Sequence, residues 1–410
     1  MRILYFSPRD CWPLTSGARL RDYHLARELS RHAALTYLGF LRNGETQPWR
    51  GPMGAEQNVE CLLIPLEQSY TPAKLLRGLT GPLPVTVLNY TTARMRAELT
   101  RTLAEGHFDL VQMEGIHLSG YLPVIARAQS RPRLICDWHN IESELLERYV
   151  ANHSHSLLKR WYGARTAQLT RAREHRLLEE CDGHLVCSER ERQALLARVP
   201  GARIRVTANG VDVEAQAAGQ REWSGVQRKD VVFVGSMDYH ANIDAALYFA
   251  REIWPGIYQS RPDLRFVIVG SRPVEEVTAL GRLEGVTVTG TVDSVGPYYQ
   301  NALVSVVPLR VGSGTRLKVL EAMAAGVPVI STPLGAEGLD VIDGQHLLLA
   351  DGPDAFAAAV RKLAEDGGEW RRLASAGQEA VRTRYDWTAI GSALFQYYEE
   401  LVAGEGRSLR

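Results

Sequence analysis

Short runs of β-branched and aromatic residues recur along this chain, each stopping at a Gly, a Ser or a charged residue, with a helical apolar stripe before the next run. In the first half they are RILYFSP, AALTYLGFL, VECLLIPL, FDLVQMEG, PRLICDWHN and DGHLVCS; in the second, VVFVGS, LRFVIVGS, VTVTGTV, LVSVVPL and VPVIST. Continuous apolar runs suit strands buried on both faces, and strand–helix–strand order predicts parallel sheets covered by helices. Helical patterns between them include ARLRDYHLARELSRH, NIDAALYFAREIWPGI, GTRLKVLEAMAAG and DAFAAAVRKLAED. The alternation fails once, in PGARIRVTANGVDVEAQAAGQREWSGVQRKD, which is polar and Gly-rich with one short strand inside it. The expected fold class is therefore α/β, with doubly wound domains at 1–200 and 201–385 and a terminal helix, WTAIGSALFQYYEELVAG, within 386–410. A length of 410 residues also favours two cores over one.

In open parallel sheets, ligands bind beyond the carboxyl ends of the strands. The residues found there are Ser7 and Pro8, Gly39, Glu114 and Gly115, His139 and Asn140, Ser188, Gly235 and Ser236, Gly270 and Ser271, Gly290, and Arg310 through Ser313. The stretch GSGTRLKVLE stands out among them. Gly312 and Gly314 let backbone come close to a ligand, and Thr315 suits an N-cap or first-turn position. Arg316 and Lys318 fall in the first helical turn, where a cation opposes the helix dipole by about 0.3–1 kcal/mol. An anionic ligand reverses that sign. Glu321 offers two acceptor oxygens to a sugar hydroxyl; the alternative is an ion pair with Lys318 at helical spacing.

Charge and cysteine usage narrow the function classes. Net charge is zero, which gives no pull toward nucleic acid, although residues 1–200 carry 26 Lys+Arg against 21 Asp+Glu. The five cysteines form no Cys-x-x-Cys pair and read as free thiols of a reducing compartment. CDGHLVC has a metal-like spacing around His184, but alternation within a buried strand explains it better, and no metal is expected. The start MRILYFSPRD is not a signal peptide, and no run reaches the roughly 20 apolar residues of a membrane span, so a cytoplasmic location is expected. The basic pattern LLKRWYGARTAQLTRAREHRLLEE leaves peripheral contact with the inner face of the membrane open, with a solvated helix face as the preferred reading.

With these residues in place, the sequence resembles the retaining GT-B glycosyltransferases of family four, also described as glycosyl transferases group 1. The resemblance rests on EAMAAGVPVIST, on NGVD from Asn209, on FVGSMDYHANIDA and FVIVGS in that order, and on the C-terminal YDWTAIGSALFQYYEEL. GSGTRLK, DWHNIES and SGARLRDYHLARELS are similar to a subgroup associated with exopolysaccharide and cell-surface assembly. The resemblance implies two Rossmann-like domains facing a cleft, with the last helix crossing back onto the first. It implies no cofactor, a nucleotide-diphosphate sugar as donor, UDP- or GDP-linked, and a glycan or lipid-linked acceptor.

It also implies roles. Arg316, Leu317 and Lys318 meet the diphosphate, with Gly235 and Ser236 lining it; Glu321 holds the ribose; Thr291 and Val292 face the base. Asn209 belongs to the donor side, Gly17 to a glycine loop beside the phosphate, and His139 touches the donor sugar. Arg19 is a phosphate or acceptor contact or else a solvated face; Glu114 is a candidate acceptor contact; a structural His beside Asp137 is the alternative for His139. Two departures are plain. The first Glu of the family's Glu-seven-Glu motif is Ser313 here, so a Ser313-Gly314-Thr315 backbone nest takes over its place. The Lys found in relatives near Asn242 is missing, which Arg316 and Lys318 are expected to offset. The rival functions are a nucleotide-sugar epimerase of the same fold and a non-catalytic sugar-nucleotide-binding subunit.

Overall fold

The structure is a computed structural model that describes residues 1–12, 14, 16–42, 59–66, 70–153, 157–214, 228–311 and 316–404. The chain divides into two compact units, Met1–Ala208 with Ile390–Arg410, and Asn209–Ala389.

The first unit is built on seven parallel strands: β1 (Arg2–Phe6), β2 (Ala34–Arg42), β3 (Val59–Leu66), β4 (Leu110–Glu114), β5 (Arg133–Trp138), β6 (Gly183–Val186) and β7 (Ile204–Val206). Their order is β3-β2-β1-β4-β5-β6-β7. One face of the sheet is apolar. Leu4 and Phe6, Leu38 and Phe40, Val111 and Met113, Leu134, Cys136 and Trp138, and Val186 recur at every second position and pack with Leu99, Leu103 and Leu177. The intervening residues face the other way, and at Gln112, Glu114 and Asp137 they are polar yet fully buried. That face is covered by the helix Gly17–Ser30 and by the terminal helix Trp387–Ala403, as the contacts of Arg21 with Asp137 and of Tyr398 with Gln112 show.

The strand Ile204–Val206 corrects the expected division at 200/201. His184, Leu185 and Val186 of β6 pair with Ile204, Arg205 and Val206 in parallel register, so this short strand closes the edge of the first sheet and the unit runs on to Ala208. The cause is backbone hydrogen bonding, which a polar, Gly-rich stretch does not advertise.

The second unit repeats the plan with six parallel strands: β8 (Asp230–Val234), β9 (Arg265–Val269), β10 (Val286–Val288), β11 (Ala302–Val307), β12 (Val329–Ser331) and β13 (Leu348–Leu349), in the order β10-β9-β8-β11-β12-β13. DVVFV and ALVSVV are buried along their whole length, as helices on both faces require. The pattern NIDAALYFAREIWPGI is not one uniform helix. It runs as α-helix His240–Tyr248, a π turn Phe249–Ile253 and α-helix Trp254–Ser260, with Pro255, which has no N–H to donate, at the start of the last piece. NGVD is tied to the segment before the terminal helix: Val211 N–H donates to the Tyr385 carbonyl at 2.8 Å, and Trp387 N–H to the Val211 carbonyl at 3.4 Å. Among the described residues no helix is long and apolar enough to cross a membrane.

Candidate active site

Each sheet has one place where the strand order reverses direction, and strand-end residues meet there. In the first sheet it lies between β1 and β4. Ser7 and Arg9 follow β1, Glu114 ends β4, and His139 follows β5. They converge on one buried cluster. His139 Nε2 lies 2.7 Å from Glu114 Oε2 and 3.3 Å from Asp22 Oδ1. Asp22 Oδ2 accepts from Ser7 Oγ at 2.8 Å and from the Arg9 guanidinium at 3.2 Å. Behind Glu114, Gln112 Nε2 donates to Oε1 at 2.6 Å, and the Tyr398 hydroxyl donates to Gln112 Oε1 at 2.6 Å.

The electrostatics follow from that geometry. Burial would discharge the His139 imidazole, but hydrogen bonds and charge from Asp22 and Glu114 outweigh it and raise its pKa to about 9. Burial, with Asp137 and Asp22 nearby, pushes the Glu114 carboxyl up to about 7. Burial acts on Asp22 in the same sense, yet Arg9, His139 and Ser7 together hold it below the ordinary carboxylate value. The cluster is thus an imidazolium shared by two carboxylates. The three ligand atoms of Asp22, Glu114 and His139 all lie within 4.8 Å of one another, a spacing that also suits a metal ion. The charge is already balanced there by His139 and Arg9.

Asp137 plays a separate part. It takes a bidentate pair from Arg21, at 2.9 and 3.0 Å, and both side chains are fully buried. Arg21 also donates to the Thr207 carbonyl at 2.8 Å. His139 is therefore partnered by Glu114 and Asp22, and Asp137 by Arg21. Arg19 turns to Asp10 Oδ1 at 2.8 Å and to the Trp12 carbonyl at 3.3 Å. Gly17 opens its helix behind the N-cap Ser16, whose side chain accepts from Arg19 N–H.

In the second sheet the order reverses between β8 and β11. Gly235 and Ser236 follow β8, and the helix Leu317–Ala324 follows β11. Lys318 lies across the gap: Nζ donates to Asn242 Oδ1 at 2.6 Å and stands 4.5 Å from the centre of the Phe233 ring. Asn242 is held in turn by donating to the Ser236 carbonyl at 2.9 Å. A Cβ on Gly235 would sit 2.7 Å from Asn242 Nδ2 and 3.0 Å from Lys318 Nζ, so a larger residue there would have to displace both side-chain ends. Burial pushes the Lys318 amine down to about 7, against the pull of Glu321. Burial raises Glu321, against the pull of Lys318.

The other expected residues are placed as follows. Arg316 occupies the N-cap position, is buried, and donates Nε–H to the Leu334 carbonyl at 3.3 Å. Leu317 is the first helical residue. The Ser236 hydroxyl donates to Asp238 at 2.6 Å. Thr291 is exposed and Val292 half-buried, just past β10 and the positive-φ Gly290; Asn209 opens the unit, half-buried. Ser313, Gly314 and Thr315 lie outside the described residues. His184 of CDGHLVC accepts from Trp138 Nε1–H at 3.2 Å inside the first core, which is the strand reading of that motif.

Sequence reasoning missed Asp22, Arg9, Gln112 and Tyr398. Arg9 sits two positions beyond the flagged Ser7. The other three lie inside helices or a strand, where a polar residue reads as a solvated face, so no local signal marks them.

The description Glycosyltransferase Family 4 matches residues 23–215, and Glycosyl transferases group 1 matches residues 228–366. Phosphatidyl-myo-inositol mannosyltransferase of Mycobacterium tuberculosis is 33% identical over 213 residues, 49% of this chain and 55% of that protein. The chain therefore spans about half the length of the curated relatives it matches. Among solved structures, sucrose-phosphate synthase from Thermosynechococcus elongatus is similar with a TM-score of 0.68 at 20% identity, covering 99% of this chain and 100% of that one. HepE from Anabaena, in complex with UDP and glucose, has a TM-score of 0.63 at 16% identity, over 98% and 100% of the two chains. At such identities the likeness is one of fold.

Proposed function

Since this chain belongs to the GT-B glycosyltransferases of family four, we propose that it moves a sugar from a nucleotide-diphosphate sugar to a hydroxyl of a glycan, glycolipid or related acceptor, with retention at the anomeric carbon. The observation that carries the reading is the Lys318 site. The Lys318 amine, the start of the helix Leu317–Ala324 and a glycine that admits close approach stand together at the strand-order reversal of the second sheet. That is the charge a departing diphosphate requires, set in place before the bond breaks. Lys318 and Arg316 are assigned to the diphosphate, with Gly235, Ser236, Leu317 and the Ser313–Thr315 backbone around it.

Glu321 is assigned to the ribose hydroxyls, Thr291 and Val292 to the base, and Asn209 and Gly17 to the donor side. In the first unit His139 is assigned to the donor sugar and Glu114, with Arg19, to the acceptor. The acceptor hydroxyl attacks the face the leaving group departs from and passes its proton to the diphosphate oxygen. The likeness to HepE, solved with UDP and glucose, supports a UDP-sugar among the candidates, alongside GDP-sugars. The likeness to phosphatidyl-myo-inositol mannosyltransferase supports a lipid-linked acceptor. A cytoplasmic place, with work at the inner membrane face in cell-surface polysaccharide synthesis, is proposed alongside it.

The test is a thermal-shift panel of UDP, GDP, ADP and dTDP and their sugars on wild type and Glu321→Ala, followed by transfer assays with the donor that binds. One nucleotide should stabilise wild type and lose its effect in the variant. The donor reading fails if no nucleotide stabilises wild type, and the role of Arg316 fails if Arg316→Ala leaves turnover unchanged.

A further inference from the structure

Behind His139 and Glu114 lie two further buried polar groups, Gln112 and Tyr398, that none of the roles above uses. The Tyr398 hydroxyl donates to Gln112 Oε1, Gln112 Nε2 donates to Glu114 Oε1, and Glu114 Oε2 meets His139 Nε2, each at 2.6–2.7 Å. Tyr398, Gln112 and Glu114 are fully buried, so no solvent is at hand to replace a lost partner. Tyr398 comes from the terminal helix, far along the chain from β4.

A side-chain amide has a donor end and an acceptor end, and which end faces Glu114 decides what Glu114 has to be. With Nε2 toward it, Glu114 accepts as a carboxylate and can hold an imidazolium. With the amide turned over, Oε1 faces Glu114, and the acid has to carry a proton to make the bond. The Tyr398 hydroxyl, by donating to Oε1, favours the first arrangement. We propose that Gln112 and Tyr398 are positioning residues for the His139 centre: Tyr398 fixes the polarity of the Gln112 amide, and that amide keeps Glu114 as the carboxylate that holds His139. The effect on catalysis rests on the transferase reading, while the effect on His139 itself does not.

The experiment is a ¹⁵N NMR titration of the His139 imidazole in the full chain, in wild type, Tyr398→Phe and Gln112→Met, alongside pH–rate profiles with the donor that binds. Gln112→Met removes the hydrogen bond to the charged Glu114 and should lower the His139 midpoint by about one pH unit, and Tyr398→Phe, which removes the donor that sets the polarity of the amide, should lower it in the same direction. In the rate profile the acid limb should move up as Glu114 takes its proton more readily, and the alkaline limb down as His139 gives its proton up, so the active window narrows from both sides. Tyr398→Phe keeps the ring that packs in the core and so guards against a variant that fails to fold. A His139 midpoint unmoved in both folded variants would overturn the proposal, leaving Tyr398 and Gln112 as packing only. A lowered midpoint with unchanged turnover would sustain the positioning roles and remove His139 from the reaction.

Discussion

Two side chains set the charge logic of this protein, and each has a measurable pH signature. His139 is raised from 6.5 to about 9. Its stabilising contribution is whole below about pH 6.5 and is lost as pH rises toward 9. Wild type should lose melting temperature across that window, and His139→Asn should flatten the loss; equal slopes for the two proteins would contradict the imidazolium assignment. Lys318 has the opposite behaviour, since burial pushes its amine down. An arriving diphosphate would draw a proton onto it. Nucleotide binding above neutral pH should therefore take up protons, seen as a dependence of calorimetric heat on buffer ionisation enthalpy. Lys318→Met should abolish that uptake and weaken the nucleotide by about 10- to 100-fold, the worth of one charge-assisted contact. At this scale the sequence marked Glu114 and His139 because they lie at or just beyond a strand end, and Lys318 and Glu321 because they fall in the helix after the Gly-Ser-Gly turn. Asp22 was not legible: within ARLRDYHLARELS it reads as one more polar residue of an amphipathic helix, and only the sheet beneath buries it.

Whole elements meet where small residues allow it. The terminal helix approaches the helix Gly17–Ser30 at Gly391, where a Cβ would lie 2.2 Å from the Cβ of Glu28. Glu28 cannot give way easily, being buried and paired with Arg27 at 2.9 Å and Arg31 at 2.7 Å. Gly391→Ala should thus cost about 1–3 kcal/mol in urea unfolding, with overpacking as the cause. A cost near zero would mean that the two helices do not meet there. Periodicity predicted both helices with good bounds. It could not say which helix face meets which sheet face, because apolar stripes of similar width fit several partners.

At the level of the whole molecule, the two units differ in how their chain is used. The second is continuous, Asn209–Ala389, whereas the first is completed by Ile390–Arg410. Residues 209–389 expressed alone should fold with a cooperative transition and keep the nucleotide response. Residues 1–208 alone would lack Tyr398, Leu394 and Leu401, all buried in the full chain, and should unfold earlier or aggregate. A stable, monomeric 1–208 fragment would show that the terminal helix is dispensable to that core.

The sequence by itself determined the parallel sheets, their helical cover, the strand ends that carry Glu114, His139 and Gly235, and a helix after the Gly-Ser-Gly turn, whose N-cap the structure places at Arg316. These follow from local periodicity and from glycines, which act over a few residues. Tertiary structure alone decided that Ile204–Val206 closes the first sheet, that Lys318 reaches Asn242, and that Asp22, Gln112 and Tyr398 surround His139 and Glu114. Those outcomes depend on which buried polar groups find partners across long stretches of chain, and a hydrogen bond between residues 112 and 398 leaves no periodic trace in either segment.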